Sequence, residues 1–164
     1  MFPFDNFDLE PAKARPSAFE PHVFFWKPWR GEGQIRNAFG KVLRRYTVSG
    51  GGQADEARAR MTQTVVFEDG ETVQKAWEIL SRDPGRYVAR DVDNGIVAEG
   101  GQVGRSFVWS FASDQTVGKG RTMPFKTTVT YTLIDRSTAE GVAVNRLWGW
   151  LPVSRLTTLY RHQV

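Results

Sequence analysis

Two arginines stand in otherwise apolar alternating runs. Val42, Arg44, Tyr46 and Val48 share one face of an extended chain by the period of two, and so do Val142, Val144, Arg146 and Trp148. If those faces line an interior, each guanidinium is a buried charge. Such a charge is tolerated when it meets an internal carboxylate or an anionic ligand. The planar fork of arginine suits a carboxylate bidentately, and Tyr46 and Tyr131 could add hydroxyl groups. The opposite faces, with Arg45 and Asn145, are less apolar and are expected outside. Aromatic side chains at the same period, Trp77, Phe107, Trp109, Phe111, Phe125 and Tyr131, would line the same space. The candidate ligand-binding set is therefore Arg44, Tyr46, Trp77, Phe107, Trp109, Tyr131 and Arg146.

Other chemistries find less support. The two histidines, His22 and His162, lie at opposite ends of the sequence, with no H-E-x-x-H pair and no ligand-spaced cluster. No metal site is expected. Glu68, Asp69 and Glu71 surround a turn and read as solvated turn formers. Asp91-Val92-Asp93-Asn94-Gly95 starts like a calcium loop, but Ile96 replaces the required glycine and Gln102 the required glutamate. Gly31-Glu32-Gly33 and Gly118-Lys119-Gly120 lack the spacing of phosphate-binding loops and read as strand kinks or turns. A cofactor-independent isomerase or cyclase could use tyrosine and arginine as proton donor and oxyanion stabiliser. It also needs an internal general base, which the pattern does not supply. The reading leans away from an enzyme, and no catalytic residue is assigned.

The elements that must position these residues are short strands. After residues 1–22, a leader with Pro3, Pro11, Pro16 and Pro21, the pattern becomes strands parted by turn signals. Runs are expected at 29–37, 40–49, 55–68, 71–81, 86–92, 95–102, 105–112, 125–134, 139–148 and 153–163. Asp69-Gly70 and Asn94-Gly95 are type I′ hairpin signals; Pro84-Gly85 and the Gly118–Gly120 stretch mark further turns. Helix is expected only in Ser17 to Phe25 and in part of 54–60. Phe2, Phe4, Phe7 and Leu9 of the leader are candidates to pack on the body or cover one mouth. Consecutive hairpins favour an up-and-down meander, and closure removes its exposed edges. The expected fold is all-β: a single antiparallel up-and-down β-barrel of about ten strands over residues 23–164.

Composition narrows the partners. Twenty-two basic and eighteen acidic residues leave a net charge of only +4, with a small cluster at Lys41, Arg44 and Arg45. No nucleic-acid module is visible, so nucleic acid is not an expected partner. There is no cysteine, which excludes disulfides, thiol catalysis and a lipid-bearing cysteine in this sequence. Met1 to Asp5 does not open a signal peptide, and no apolar run is long enough for a transmembrane helix. The expected place is the cytoplasm, or the periplasm or a membrane surface if an export segment was omitted.

The residues also carry a resemblance. Gly31-x-Gly33, Phe39-Gly40-Lys41-Val42-x-Arg44-Arg45-Tyr46-Thr47-Val48, Phe67-Glu68-Asp69-Gly70-Glu71, Trp77, Pro84-Gly85-x-Tyr87, Asp91-Val92-x-x-Gly95, Ala98-x-Gly100, Gly104, Trp109 and Asn145-Arg146 resemble an uncharacterised family of small bacterial proteins, often described as lipoproteins. The resemblance covers about 24–162 and implies a lipocalin-like (calycin) β-barrel without a known activity. The sequence departs from that pattern in lacking the cysteine and in carrying Val129-Thr130-Tyr131-Thr132 where the family shows an acidic pair. Separately, Trp29-Arg30-Gly31-Glu32-Gly33 resembles the first strand of nitrobindin-like haem barrels, which implies His162 as the iron ligand. The leading expectation is a barrel that binds an apolar or amphipathic small molecule, a lipid or carboxylate among the candidates, without a cofactor. Haem is the alternative cofactor. A filled barrel serving protein interaction is the expectation if no cavity exists.

Overall fold

The computed structural model describes residues 18–54, 58–83, 85–117 and 119–163. Residues 1–17, which include most of the expected leader with Phe2, Phe4, Phe7 and Leu9, lie outside them, as do Pro84 and Gly118 of two expected turns. Ten strands follow one helical turn, α1 (Pro21–Phe24). They are β1 (Trp29–Asn37), β2 (Val42–Ala54), β3 (Arg58–Phe67), β4 (Thr72–Asp83), β5 (Arg86–Asp91), β6 (Val97–Val103), β7 (Ser106–Val117), β8 (Arg121–Leu133), β9 (Thr138–Leu147) and β10 (Leu151–His162). Each strand pairs antiparallel with its neighbours in sequence, and β1 pairs with β10 from Trp29↔His162 to Asn37↔Ser154. The expected up-and-down barrel is thus a closed wall.

Local chemistry explains where the expected details moved. Of the span 54–60, in part of which helix is expected, Ala54 and residues 58–60 are strand, because Gln53↔Arg60 and Ala54↔Ala59 extend the β2–β3 ladder; residues 55–57 lie outside the described residues. At Asp69-Gly70 only the glycine has positive φ, and the Phe67 carbonyl accepts from Gly70 N–H while Phe67 N–H donates to the Glu71 carbonyl. That is a three-residue loop with a left-handed glycine rather than a type I′ turn. Asn94-Gly95 likewise turns on Gly95 alone, because the Asp91 carboxylate accepts from the Asp93 and Asn94 N–H groups and shapes a longer loop. The β9–β10 hairpin instead has positive φ at two successive residues, Trp148 (54°) and Gly149 (80°).

The two barrel ends differ. Hairpins β1–β2, β3–β4, β5–β6, β7–β8 and β9–β10 lie together at one end, the mouth. The other end is sealed by α1 and its flanks. Phe19, Phe24, Phe25 and Trp29 are buried there, with Phe19 fully covered and stacked on Tyr131 at 5.0 Å. Backbone bonds from Phe19 N–H to Arg105, Gly52 N–H to Trp26 and Gln163 N–H to Pro28 fasten this plug to the wall. Pro21 at the start of α1 suits a first helical turn, whose missing N–H has no partner to lose. Phe19 and Pro21 pack in the core together with residues beyond 23. Among the described residues, no helix is long and apolar enough to cross a membrane.

Glycines let the interior rings lie flat on the wall. A Cβ on Gly33 would sit 2.5 Å from the Tyr46 hydroxyl, and one on Gly141 would sit 2.7 Å from the Tyr160 ring. Both values are below any tolerable contact, so each glycine is a seat for a neighbouring strand's aromatic ring. Gly33→Val is expected to lower unfolding stability by about 1–3 kcal/mol through overpacking against Tyr46. Chemical denaturation of the variant beside the parent checks this.

Candidate functional site

Between the plug and the mouth the barrel is hollow. A chamber of about 580 Å³ runs along the axis. The filled-barrel alternative is not what the interior shows. One side of the chamber, from β3–β7, is mainly apolar, with Met61, Val65, Trp77, Ile79, Ala89, Ala98, Trp109 and Phe111, while Gln63, Lys75, Ser113, Asp114 and Gln115 of the same strands add polar groups. The facing side, from β8–β10 and Tyr46 of β2, is small and hydroxyl-bearing. There Gly141 and Ala143 make room, and Thr127, Tyr131, Thr158 and Tyr160 present oxygens.

Those oxygens form a connected network. The Tyr46 and Thr158 hydroxyls are 2.6 Å apart, and Thr158 is buried. Tyr160 interacts through its hydroxyl with Thr158 on one side and with Tyr131 on the other. Nearer the mouth, the Thr127 hydroxyl donates to Asn145 Oδ1 at 2.6 Å, and Asn145 Nδ2 donates to Ser154 Oγ at 2.9 Å. Satisfied in this way, polar groups persist beside an apolar wall.

The proposed site residues fall in different places. Tyr46, Trp77, Trp109 and Tyr131 line the chamber. Phe107 is fully buried beside them, wedged against Tyr87 and Trp109, and belongs to the packed layer rather than to the lining. Arg44 has the inward parity of Tyr46 but sits at the rim. Its guanidinium bonds Asp69 Oδ2 and Glu71 Oε2, both at 2.7 Å, and lies 3.5 Å over the Phe67 ring. The two carboxylates answer its charge; the Glu71 hydrogen bond leads in raising the guanidinium pKa. Asp69, which accepts from Glu71 N–H and faces Arg44, is held below the ordinary carboxylate range.

Arg146 requires a correction. On β9 the inward positions are Ala139, Gly141, Ala143 and Asn145, so Arg146 points outward with Val142 and Val144. Bulk decides the register: Tyr131 and Tyr160 occupy the space beside Gly141, which valines would fill twice over. Asn145, expected outside, is on the chamber wall.

The sequence reading missed the cation that does line the chamber. Lys75 of β4 shares the inward parity of Val73 and Trp77, and its Nζ is 3.9 Å from Oδ2 of Asp91. Asp91 is buried, and its other oxygen is committed to the β5–β6 loop. Thr158 and Tyr160 were also missed. The alternation Leu156, Thr158, Tyr160 was available as a signal, since all three line the chamber.

His162 was the haem candidate. It lies at the plugged end, its Nε2 2.7 Å from the Phe24 carbonyl and its ring 4.3 Å from that of Phe24. It is not among the chamber-lining residues. An axial bond to iron would break this contact and displace the plug, so the residues present do not fit haem. Among the described residues, no group of three or more histidine, aspartate or glutamate side chains is arranged to hold a metal.

Burial gives the tyrosines an unusual titration. It pushes Tyr160 up to about 12, with Tyr46 adding to the effect, and Tyr131 well above the ordinary 10.0. Tyr46 and Tyr87 are also raised, chiefly by burial. The folded protein therefore holds phenolic protons that the unfolded chain sheds near pH 10.0. Stability from this source is fully present below that pH and is lost as pH rises toward about 12. Phenolate absorbance of the native protein should lag that of denatured protein in an alkaline titration. The melting temperature should fall over the same window, less steeply in Tyr160→Phe. Coincident native and denatured titrations would contradict the buried network.

The fold recurs in distant structures. No curated protein matches the sequence. The S-type phycobiliprotein lyase CPES from Guillardia theta is similar at 10% identity and a TM-score of 0.61, over 94% of this chain and 97% of that one. A protein of unknown function of the DUF3598 family from Nostoc punctiforme is similar at 14% identity and a TM-score of 0.60, over 93% of this chain and 52% of that one. Rv2717c from M. tuberculosis is similar at 12% identity and a TM-score of 0.58, over 90% of this chain and all 100% of that one. At such identities the likeness is one of fold. A family model gives the firmer placement: residues 1–149 match that of DUF3833, and the chain belongs to this family of proteins of unknown function.

Proposed function

We propose that the protein holds one small amphipathic molecule inside the barrel. The observation that carries this reading is the chamber of about 580 Å³, with most of its large apolar side chains on β3–β7 and most of its hydroxyl groups on β8–β10. That volume falls within the range of small-molecule pockets, about 300–1,000 Å³. Burying an apolar body against Trp77, Trp109 and Phe111 supplies the affinity, since aromatic rings give large area at low entropic cost. Orientation comes from the polar groups.

The polar end of the ligand faces the mouth. Lys75 is the cation on the lining; Arg44 is held by two carboxylates and Arg146 is outside. Lys75 is half-exposed and its contact with Asp91 is long, so a carboxylate or sulfonate can take one of its other N–H donors. Asn145 stands across the chamber as a neutral partner. The deeper tyrosine–threonine network is internally bonded, and it offers spare oxygen lone pairs to a hydroxyl or amide of the ligand.

A fluorescent fatty-acid probe, dansyl-undecanoate, tests the reading. It should bind with an emission shift to the blue. Lys75→Met should weaken it about tenfold, the order of one charge-assisted hydrogen bond. Ala143→Phe, which fills the chamber from the small-residue wall, should abolish binding while the melt stays cooperative. Arg146→Met should leave binding unchanged. Binding that survives Ala143→Phe would place the probe outside the chamber and defeat the proposal.

A further inference from the structure

The mouth carries a feature that ligand binding does not need. The β9–β10 hairpin ends in Trp148 and Trp150, exposed by 54% and 68%, their rings stacked at 6.4 Å. Phe39, at the tip of the neighbouring β1–β2 hairpin, is 96% exposed. Leu43 and Leu151 continue this apolar edge. Large rings on solvated hairpin tips gain nothing for folding.

Backbone strain strengthens the point. Trp148 holds φ at 54°, in the left-handed region that disfavours a bulky side chain. Glycine or asparagine would make this turn without strain. A strained tryptophan on an exposed tip points to a use for the ring itself.

Below the tips lies a basic band. Arg36 and Arg155 are directly paired across β1 and β10, and Lys126 and Arg146 across β8 and β9. All four have outward parity on their strands. Like charges placed opposite one another are unfavourable in a sheet. Among the described residues, none of the four has an ion-pair partner. No aspartate or glutamate occurs in 115–134 or 141–164. The acids near the mouth, Glu68, Asp69, Glu71, Asp91, Asp93 and Asp114, lie on β3–β7 and their turns, with Asp69 and Glu71 taken by Arg44 and Asp91 facing Lys75.

From aromatic tips, a basic collar behind them and a chamber opening between them, we infer that the mouth docks on an anionic lipid bilayer. Trp148, Trp150 and Phe39 enter the headgroup region, where amphipathic rings reside, and Arg36, Lys126, Arg146 and Arg155 meet lipid phosphates. The barrel then stands with its chamber open toward the lipid. This goes beyond ligand binding and holds whether or not the chamber is loaded.

Full-length protein mixed with phosphatidylcholine vesicles, with and without about a third phosphatidylglycerol, tests it by co-sedimentation. Binding to the anionic vesicles should exceed that to neutral ones about tenfold and should fall as salt rises to about 0.5 M. Acyl-brominated lipids should quench tryptophan fluorescence. Trp148→Gly with Trp150→Ser should cut vesicle binding about tenfold and remove most quenching. The same pair should leave the melting temperature unchanged or raised, because glycine relieves the turn. Lys126→Gln with Arg146→Gln and Arg155→Gln should remove the preference for anionic lipid. Ala143→Phe should bind vesicles like the parent, which separates docking from chamber loading. No binding to anionic vesicles, or full binding by the double tryptophan variant, would overturn the inference. Self-association lost in the tryptophan variant, without vesicle binding, would also overturn it and assign the patch to a second copy.

Discussion

The pairing of β1 with β10 is the constraint on which the rest depends. Without it the meander is an open sheet with two edges, and the inward residues have no common interior. With it, ten strands enclose more width than their side chains fill at the mouth half. The plug settles which half is filled. Phe19, Phe25 and Trp29 pack against Tyr131 and Tyr160 at one end, with Phe24 behind Phe19 and Phe25, and the hollow begins where those rings stop. The tyrosine hydroxyls lie at that boundary. Their mutual bonding lets a polar layer sit between a packed aromatic floor and an open chamber.

Electrostatics divides the mouth in the same economical way. Arg44 is pinned by Asp69 and Glu71 and braces the β2, β3 and β4 ends against one another. Lys75 and Asp91 do the same less tightly one strand further round. The mouth half of β8–β10 has no acids, Glu140 lying toward the plugged end of β9, and among the described residues the basic side chains there have no ion-pair partner. A barrel with one braced side and one basic side has a built-in orientation.

Much of this fold was legible in the sequence. The two-residue rhythm and the turn residues gave ten strands near their observed places, and Val42-Arg44-Tyr46-Val48 does face inward, with Arg45 outside. The site was legible in part. Register failed on β9 because both of its faces are apolar: Val142 and Val144 look more like core than Gly141 and Ala143. The small residues face in because rings from β8 and β10 fill the space in front of them, a fact about neighbouring strands that one strand's pattern cannot contain. Lys75 was passed over for a related reason. A lysine beside Trp77 reads as a solvated residue until closure of the wall turns its side chain toward Asp91. The turn at Trp148-Gly149 gave no warning, because tryptophan is a poor predictor of positive φ.

A sheltered chamber, mainly apolar on one side and hydroxyl-bearing on the other, is the feature a ligand needs. A crystal structure of the protein soaked with an anionic amphipathic ligand addresses it directly. The expected density is one elongated molecule against Trp77 and Trp109, its acidic group beside Lys75. An interior filled by collapsed side chains, with the soaked molecule bound only on the outer wall, would contradict it.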